Sequence, residues 1–245
     1  MARTAIQLYT LRDIDEPLPA LLDRVGDTSF EGVEFAHRVG EADRGTVADA
    51  LTRNDLAPAA AHVGLAALEE SYNETTARYR TLGVETLVVP WLDPEHFESE
   101  AGVADAAERL NAVAADLAAD GFALGYHNHD QEFTDLDGRP ALEELLARTD
   151  DRVGLELDLG WAAVGGVDPA AYLERHADRI THVHVSDADA ASGTPVELGE
   201  GALDLDACAA AAREAGADWF VYENDDPSDA AASLTHGATT LDRLR

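Results

Sequence analysis

The chain has 245 residues, long enough for one (β/α)8 barrel or for two smaller domains. Against 49 Asp and Glu stand 17 basic residues, every one an Arg, for a net charge of −32; this argues against nucleic acid as a partner, which needs a basic footprint, and the lack of Lys excludes Schiff-base chemistry. The one cysteine, Cys208, excludes an internal disulfide, and no run approaches the 18 or so apolar residues of a membrane span. Short apolar runs then alternate with longer segments of helical periodicity along the whole chain. The first strand is predicted at Thr4–Tyr9, followed by a helix over 17–28. Strand Gly32–Ala36 carries Glu34 and runs on to His37, before a helix over 43–54. Strand Ala57–His62 ends in His62 and leads to a helix over 65–82 with Gly83 as its stop. Strand Thr86–Trp91 precedes a helix over 99–120, stopped by Gly121.

The fifth strand, Phe122–His127, runs on into Asn128, His129 and Glu132, and a helix is expected over 139–149. Strand Val153–Asp158 ends LELDLGW, and the helix over 168–177 opens on Asp168-Pro169, a capping carboxylate before a first-turn proline. Strand Thr181–Val185 holds His182 and His184, and the helix over 204–215 stops at Gly216. The last strand is Trp219–Glu223, and Asp226-Pro227 marks the start of a helix over 227–244. Eight strand-then-helix units, no Gly-rich dinucleotide fingerprint after the first strand and no linker predict an α/β fold: a single (β/α)8 TIM barrel over residues 1–245. The acid-rich, Lys-free composition suits molar salt, where the Debye length shrinks to about 3 Å, so most carboxylates read as solvated surface. The start MARTAIQLYT has no signal-peptide pattern, which predicts a cytoplasmic protein.

In such a barrel the active site lies at the C-terminal ends of the strands, and most of the nine His gather there. Asp158, His184 and Glu223 end three consecutive predicted strands, so their side chains can converge. Singly each has a duller role, as a helix cap, an ion-pair partner or a buried histidine; jointly they suit one divalent ion, Mn²⁺, Mg²⁺, Co²⁺ or Zn²⁺. His182 is either a further ligand or an interior layer residue, and the layer role is favoured. His127 and His129 share strand parity and face substrate or metal. Trp91 and Trp161 either stack on a sugar face or only wall a pocket, and Asp187 and Glu200 read as loop residues.

With these residues in view, the chain resembles the xylose-isomerase-like barrel superfamily, in particular its sugar phosphate isomerases/epimerases, inosose dehydratases and ketose 3-epimerases. IQLYTLRD, YHNHDQEF, LELDLGWAAVGGVDPAAYL, HVHVSD, LGEGALD and VYEND carry the resemblance in order along the full length. It implies a divalent ion held by Asp158, His184 and Glu223. The family's fourth ligand is often a Glu ending the fifth strand; Gly125 is expected at that position, which leaves Glu132 or His129, with Glu132 preferred. Relatives often have Lys where Ser186 stands, and its absence weakens the case for a phosphorylated substrate. The expected reaction is isomerisation or epimerisation of a small sugar or polyol by proton transfer next to a carbonyl, through an enediolate. His127 and Glu223 are the candidate acid/base groups; Glu34, His62 and Trp161 are the candidate substrate contacts. A lyase dehydrating an inosose-like substrate is the alternative. An endonuclease IV-like DNA-repair enzyme shares the barrel but is expected to need a three-metal ligand set and a phosphate-contacting surface, and a purely structural or sugar-binding barrel would not need converging ligands. Assembly into a homo-oligomer is left open.

Overall fold

The structure, a computed structural model, describes residues 2–189 and 191–245. Its strands are β1 (Arg3–Gln7), β2 (Gly32–Phe35), β3 (Ala57–His62), β4 (Thr86–Val89), β5 (Ala123–His127), β6 (Asp135–Leu136), β7 (Arg139–Pro140), β8 (Val153–Asp158), β9 (Ile180–Val185), β10 (Asp187–Asp189), β11 (Thr194–Val196) and β12 (Trp219–Tyr222). Eight of them pair in parallel and close into a barrel in the order β1, β12, β9, β8, β5, β4, β3, β2. The pairs β6–β7 and β10–β11 are antiparallel hairpins in the connections that follow β5 and β9. The single (β/α)8 barrel expected from the sequence is therefore the fold.

The helices are α1 (Leu18–Gly26), α2 (Arg44–Arg53), α3 (Leu65–Glu70), α4 (Tyr72–Thr81), α5 (Glu100–Ala119), α6 (Ala141–Arg148), α7 (Leu159–Val164), α8 (Pro169–Arg175), α9 (Leu205–Glu214) and α10 (Ala230–Leu244). The helix expected over 65–82 is broken at Ser71 into α3 and α4. Asp168 caps α8 as expected, accepting from the N–H groups of Ala170 and Ala171. Asp226-Pro227 does not open the last helix: Asp229 does, by accepting from Ala231 and Ala232. Gly83, Gly121 and Gly216 follow helices at φ of 77°, 83° and 83°, the left-handed cap that a side chain would strain.

The main apolar core lies between the strands and the helix ring. Inside the barrel a small cluster of Ala5, Ala59, Trp219 and Val221 fills the lower end. Trp219 fits because Gly32 has no side chain: a Cβ there would stand 2.8 Å from the indole ring and 2.5 Å from the Ala57 carbonyl. Strand register then stacks the polar residues above this plug. Asp158 pairs with His184, Val221 with His184, and Gln7 with Glu34. Register shifts fall between Leu155 and Glu156 against β9 and between Val33 and Glu34 against β3, irregularities of the kind that re-aim side chains near active sites.

Candidate active site

Alternation along each strand sends every second side chain into the barrel, and at the C-terminal ends those side chains are His, Asp and Glu. Asp158, the last residue of β8, is fully buried. Its Oδ1 accepts from the Trp161 N–H at 2.7 Å, which caps α7, and from the Ser186 hydroxyl at 2.7 Å. Asn128, just past β5, fixes its backbone by pairing with both the N–H and the carbonyl of Asp158. Oδ2 is left buried with no hydrogen-bond partner.

His184 on β9 stands at the centre. Its Nδ1 lies 2.8 Å from Glu223 Oε2, and its Nε2 lies 2.6 Å from Glu34 Oε2 and 3.0 Å from Glu156 Oε1. Glu156 Oε1 also meets His62 Nε2 at 2.8 Å and His127 Nδ1 at 3.2 Å. The Gln7 amide donates to Glu34 at 3.0 Å. Two overlapping sets of side chains bring one donor atom each to within 4.8 Å of one another: His127, Asp158, His184 and Glu223, and His62, His127, Glu156 and His184. Among the described residues these are the groups able to hold a cation.

Burial and crowding displace the titrations. Burial raises the Asp158 carboxyl to about 8, against the opposing pull of His184, and raises Glu223 as well, with Asp225 adding to it. Burial drives His127 down to about 3, with the charge of His184 acting in the same sense. His184 moves the other way: burial works to lower it, but Glu156, Glu34 and Glu223 together hold it well above the usual range. Glu156 is correspondingly kept well below the ordinary carboxylate value despite its burial, by His184 and the hydrogen bonds from His127, His184 and His62.

Above the cluster opens a cavity of about 630 Å³. Its walls are aromatic, from Tyr9, Trp91 and Trp161, with His37, His129 and Asp225 between them. Asp225 accepts from the Trp161 indole N–H at 2.8 Å and so fixes that wall. His129 packs against Trp91 and Trp161, with centroids 4.7 and 5.5 Å away. A larger recess of about 840 Å³ opens at the other end of the barrel, near Arg3, Glu85 and Trp219, but neither cation-capable set lies there.

Asp158, His184 and Glu223 are thus brought together, with His127 as the fourth corner. Glu132 is not in either set: its carboxylate accepts from the Tyr126 hydroxyl at 2.6 Å and from the His129 N–H at 2.9 Å. Gly125 lies one layer below the strand end, against Val88, so His127 rather than Gly125 occupies the position facing the other three. His62 and Trp161 line the cavity, whereas Glu34 has no exposed surface and lies beneath its floor. His182 is an interior residue, with Nε2 3.2 Å from the Ala59 carbonyl. Asp187, expected in a loop, is the first residue of β10 in the connection after β9, and its carboxylate accepts N–H groups from Ala188, Gly199, Gly201 and Leu203. Sequence reading missed Glu156, Gln7 and Asp225. The signal for Glu156 was a carboxylate in mid-strand sharing parity with Asp158.

The family described as "Xylose isomerase-like TIM barrel" matches residues 22–244. The chain belongs to that family. Among curated relatives, the rhizopine catabolism protein MocC of Rhizobium meliloti is 38% identical over 79 residues, 32% of this chain and 24% of that protein. An inosose dehydratase of Lacticaseibacillus casei is 28% identical over 160 residues, 56% of this chain and 52% of that protein. The matched stretches thus span about half the curated relatives' length or less. Among solved structures, a sugar phosphate isomerase/epimerase from Parabacteroides distasonis ATCC 8503 superposes with a TM-score of 0.86 at 20% identity, covering 99% of this chain and 98% of that one. An L-ribulose 3-epimerase gives 0.80 at 19% identity, over 100% of this chain and 94% of the other. At these identities the likeness shows the barrel fold alone.

Proposed function

We propose that this protein is a divalent-metal-dependent enzyme that moves a proton next to the carbonyl of a small sugar or polyol. The observation that carries the reading is the meeting of His127, Asp158, His184 and Glu223, from four strand ends, around the unpartnered Asp158 Oδ2. Two carboxylates and two imidazoles fit Mn²⁺, Mg²⁺, Co²⁺ or Zn²⁺, and buried carboxylates without Arg partners call for a cation. Such an ion, when bound, supplies a Lewis acid for the substrate carbonyl.

The protein's own groups do the rest. Glu223 borders the cavity and is raised by burial, which suits a carboxylate that takes and returns a proton. His127, lowered to about 3, is neutral at pH 7 with a free lone pair, which favours it as the fourth ligand over the acid/base role first considered. The aromatic walls suit the C–H faces of a sugar ring, and Asp225 and His129 suit its hydroxyls. No Arg borders the cavity among the described residues, so an unphosphorylated substrate is expected.

Isomerisation or epimerisation and dehydration share the first proton transfer. The dehydratase reading is favoured by the curated relatives, several of which are inosose dehydratases. The test is a metal-supplemented screen of an inosose, L-ribulose and D-allulose beside their available phosphates, read by substrate loss and product stereochemistry. Turnover of an unphosphorylated substrate that is lost in Asp158→Ala, with circular dichroism unchanged, is the expected result. Turnover unaffected by that substitution contradicts the reading.

A further inference from the structure

We infer that the substrate carries a second, uncharged ring: a glycoside whose reacting ring sits over Asp158, His184 and Glu223 and whose other ring stacks on Tyr9 and Trp91 at the cavity mouth. This rests on the reading of His127, Asp158, His184 and Glu223 as the reacting end of the site. The argument starts from the order of the strands. Those four side chains come from β5, β8, β9 and just past β12, which are neighbours in the barrel, so they occupy one half of its rim. The cavity continues over the other half, β1 to β4, where its walls are Tyr9, Ala36, His37, His62, Pro90 and Trp91.

Size and chemistry both call for more than one ring. Even at the roughly 30 Å³ that a water molecule takes in the liquid, the dozen or so non-hydrogen atoms of a six-carbon sugar or polyol fill at most about 360 Å³. The cavity holds about 630 Å³, which leaves space for a second ring. A single-ring substrate fills only the part over the reacting end and is held more loosely. The walls on the β1 to β4 side include no carboxylate and no Arg, in a protein of net charge −32. That surface suits a neutral ring, a sugar or an aromatic one, rather than a phosphate or an ammonium group.

Tyr9 and Trp91 are built as platforms. Among the described residues they are the large apolar side chains left exposed, at 40% and 45%. Scattered exposed aromatics are ordinary on a protein surface, but these two border one cavity, and each is held in place. His129 packs against Trp91 with centroids 4.7 Å apart, and the indole N–H donates to Asp93 at 3.3 Å. Arg12 stacks on Tyr9 at 4.3 Å, and His37 stands nearly perpendicular to the same ring at 6.0 Å. Rings fixed before binding lose little freedom when a second ring covers them. His37 adds a polar contact: neither of its ring nitrogens has a hydrogen-bond partner, although at least one of them carries a proton. A hydroxyl of the second ring, reached by a turn of the imidazole, supplies the missing partner.

The test compares one ring with two. Full-length protein loaded with Mg²⁺ is titrated, by ligand-observed NMR, with methyl β-D-glucoside, phenyl β-D-glucoside and methyl β-cellobioside, which lack a carbonyl and so are not turned over. At least one of the two-ring ligands should bind about fivefold or more tighter than methyl β-D-glucoside, the scale of one aromatic stacking contact. The ranking of phenyl β-D-glucoside against methyl β-cellobioside tells an aromatic second ring from a sugar. In the double variant Tyr9→Ala with Trp91→Ala the ratio should fall to within about twofold of one, with circular dichroism unchanged because both side chains are exposed. Equal affinity for the three, no binding by any of them, or an advantage that survives the double substitution overturns the second ring. Each of these outcomes leaves the proton-transfer reading to its own test, which is turnover in Asp158→Ala.

Discussion

Asp158 divides its carboxylate between structure and site: Oδ1 serves the α7 N-terminus and Ser186, and Oδ2 faces the cluster without a partner. Because burial raises this carboxyl to about 8, it holds a proton at neutral pH, and an incoming cation must expel it. The sign follows: affinity should climb by up to tenfold per pH unit below about 8 and flatten above. Calorimetry in two buffers of different ionisation enthalpy at pH 7 should find a proton released on binding. An affinity that is flat between pH 6 and 8 would count against Asp158 as a ligand. The fourth corner has its own test. His127→Gln should weaken ion binding by about tenfold or more, whereas Glu132→Gln, whose side chain is engaged by Tyr126 and His129, should change it by less than about threefold. The reverse ranking would return the fourth position to Glu132.

At the scale of elements, the loop after β9 is organised by one side chain. Asp187 is buried and accepts backbone N–H groups from Ala188, Gly199, Gly201 and Leu203, tying β10 to the segment that leads into α9. Asp187→Ala leaves those donors unsatisfied and should cost at least about 2 kcal/mol of stability, measured by urea unfolding. A loss within error of zero would mean that the loop finds other partners. Most of the barrel was legible because apolar runs and helical periods alternate cleanly and Gly marks several helix ends. Asp158 and His184 were legible for the same reason: a polar side chain ending a buried strand has few bland uses. Glu156 was not, because a lone Glu in a run such as VGLELD reads as a solvent-facing alternate. A parallel strand covered on both faces has no solvent face, and that consideration would have exposed it. The break at Ser71 and the two hairpins are set by tertiary packing and leave no period to read. The fourth corner was expected at Glu132 or His129, with Gly125 taken for the family's usual position, whereas the folded strands bring His127 to the other three, a shift of the size by which strand ends are uncertain in a sequence.

The whole molecule carries a net charge of −32, and its arginines pair largely with exposed carboxylates, as in Arg24–Glu16, Arg53–Asp23 and Arg109–Glu69. Such pairs stabilise weakly, so net repulsion should dominate in dilute buffer. Raising KCl from 0.1 to about 2 M should lift the Tm by about 5 °C or more, beyond what an uncharged osmolyte of equal osmolality gives. An unchanged melt would contradict the reading of the surface as salt-adapted. The barrel brings four strand ends to one point, where we propose that a proton is moved. With a substrate identified by the screen, turnover in D2O, read by mass spectrometry and NMR, tests it most directly. Deuterium at the carbon next to the carbonyl, or a primary isotope effect with substrate deuterated there, is expected, and Asp158→Ala should abolish it together with the bound ion. Turnover with neither solvent exchange, nor an isotope effect, nor transfer of the label would contradict proton transfer at this cluster.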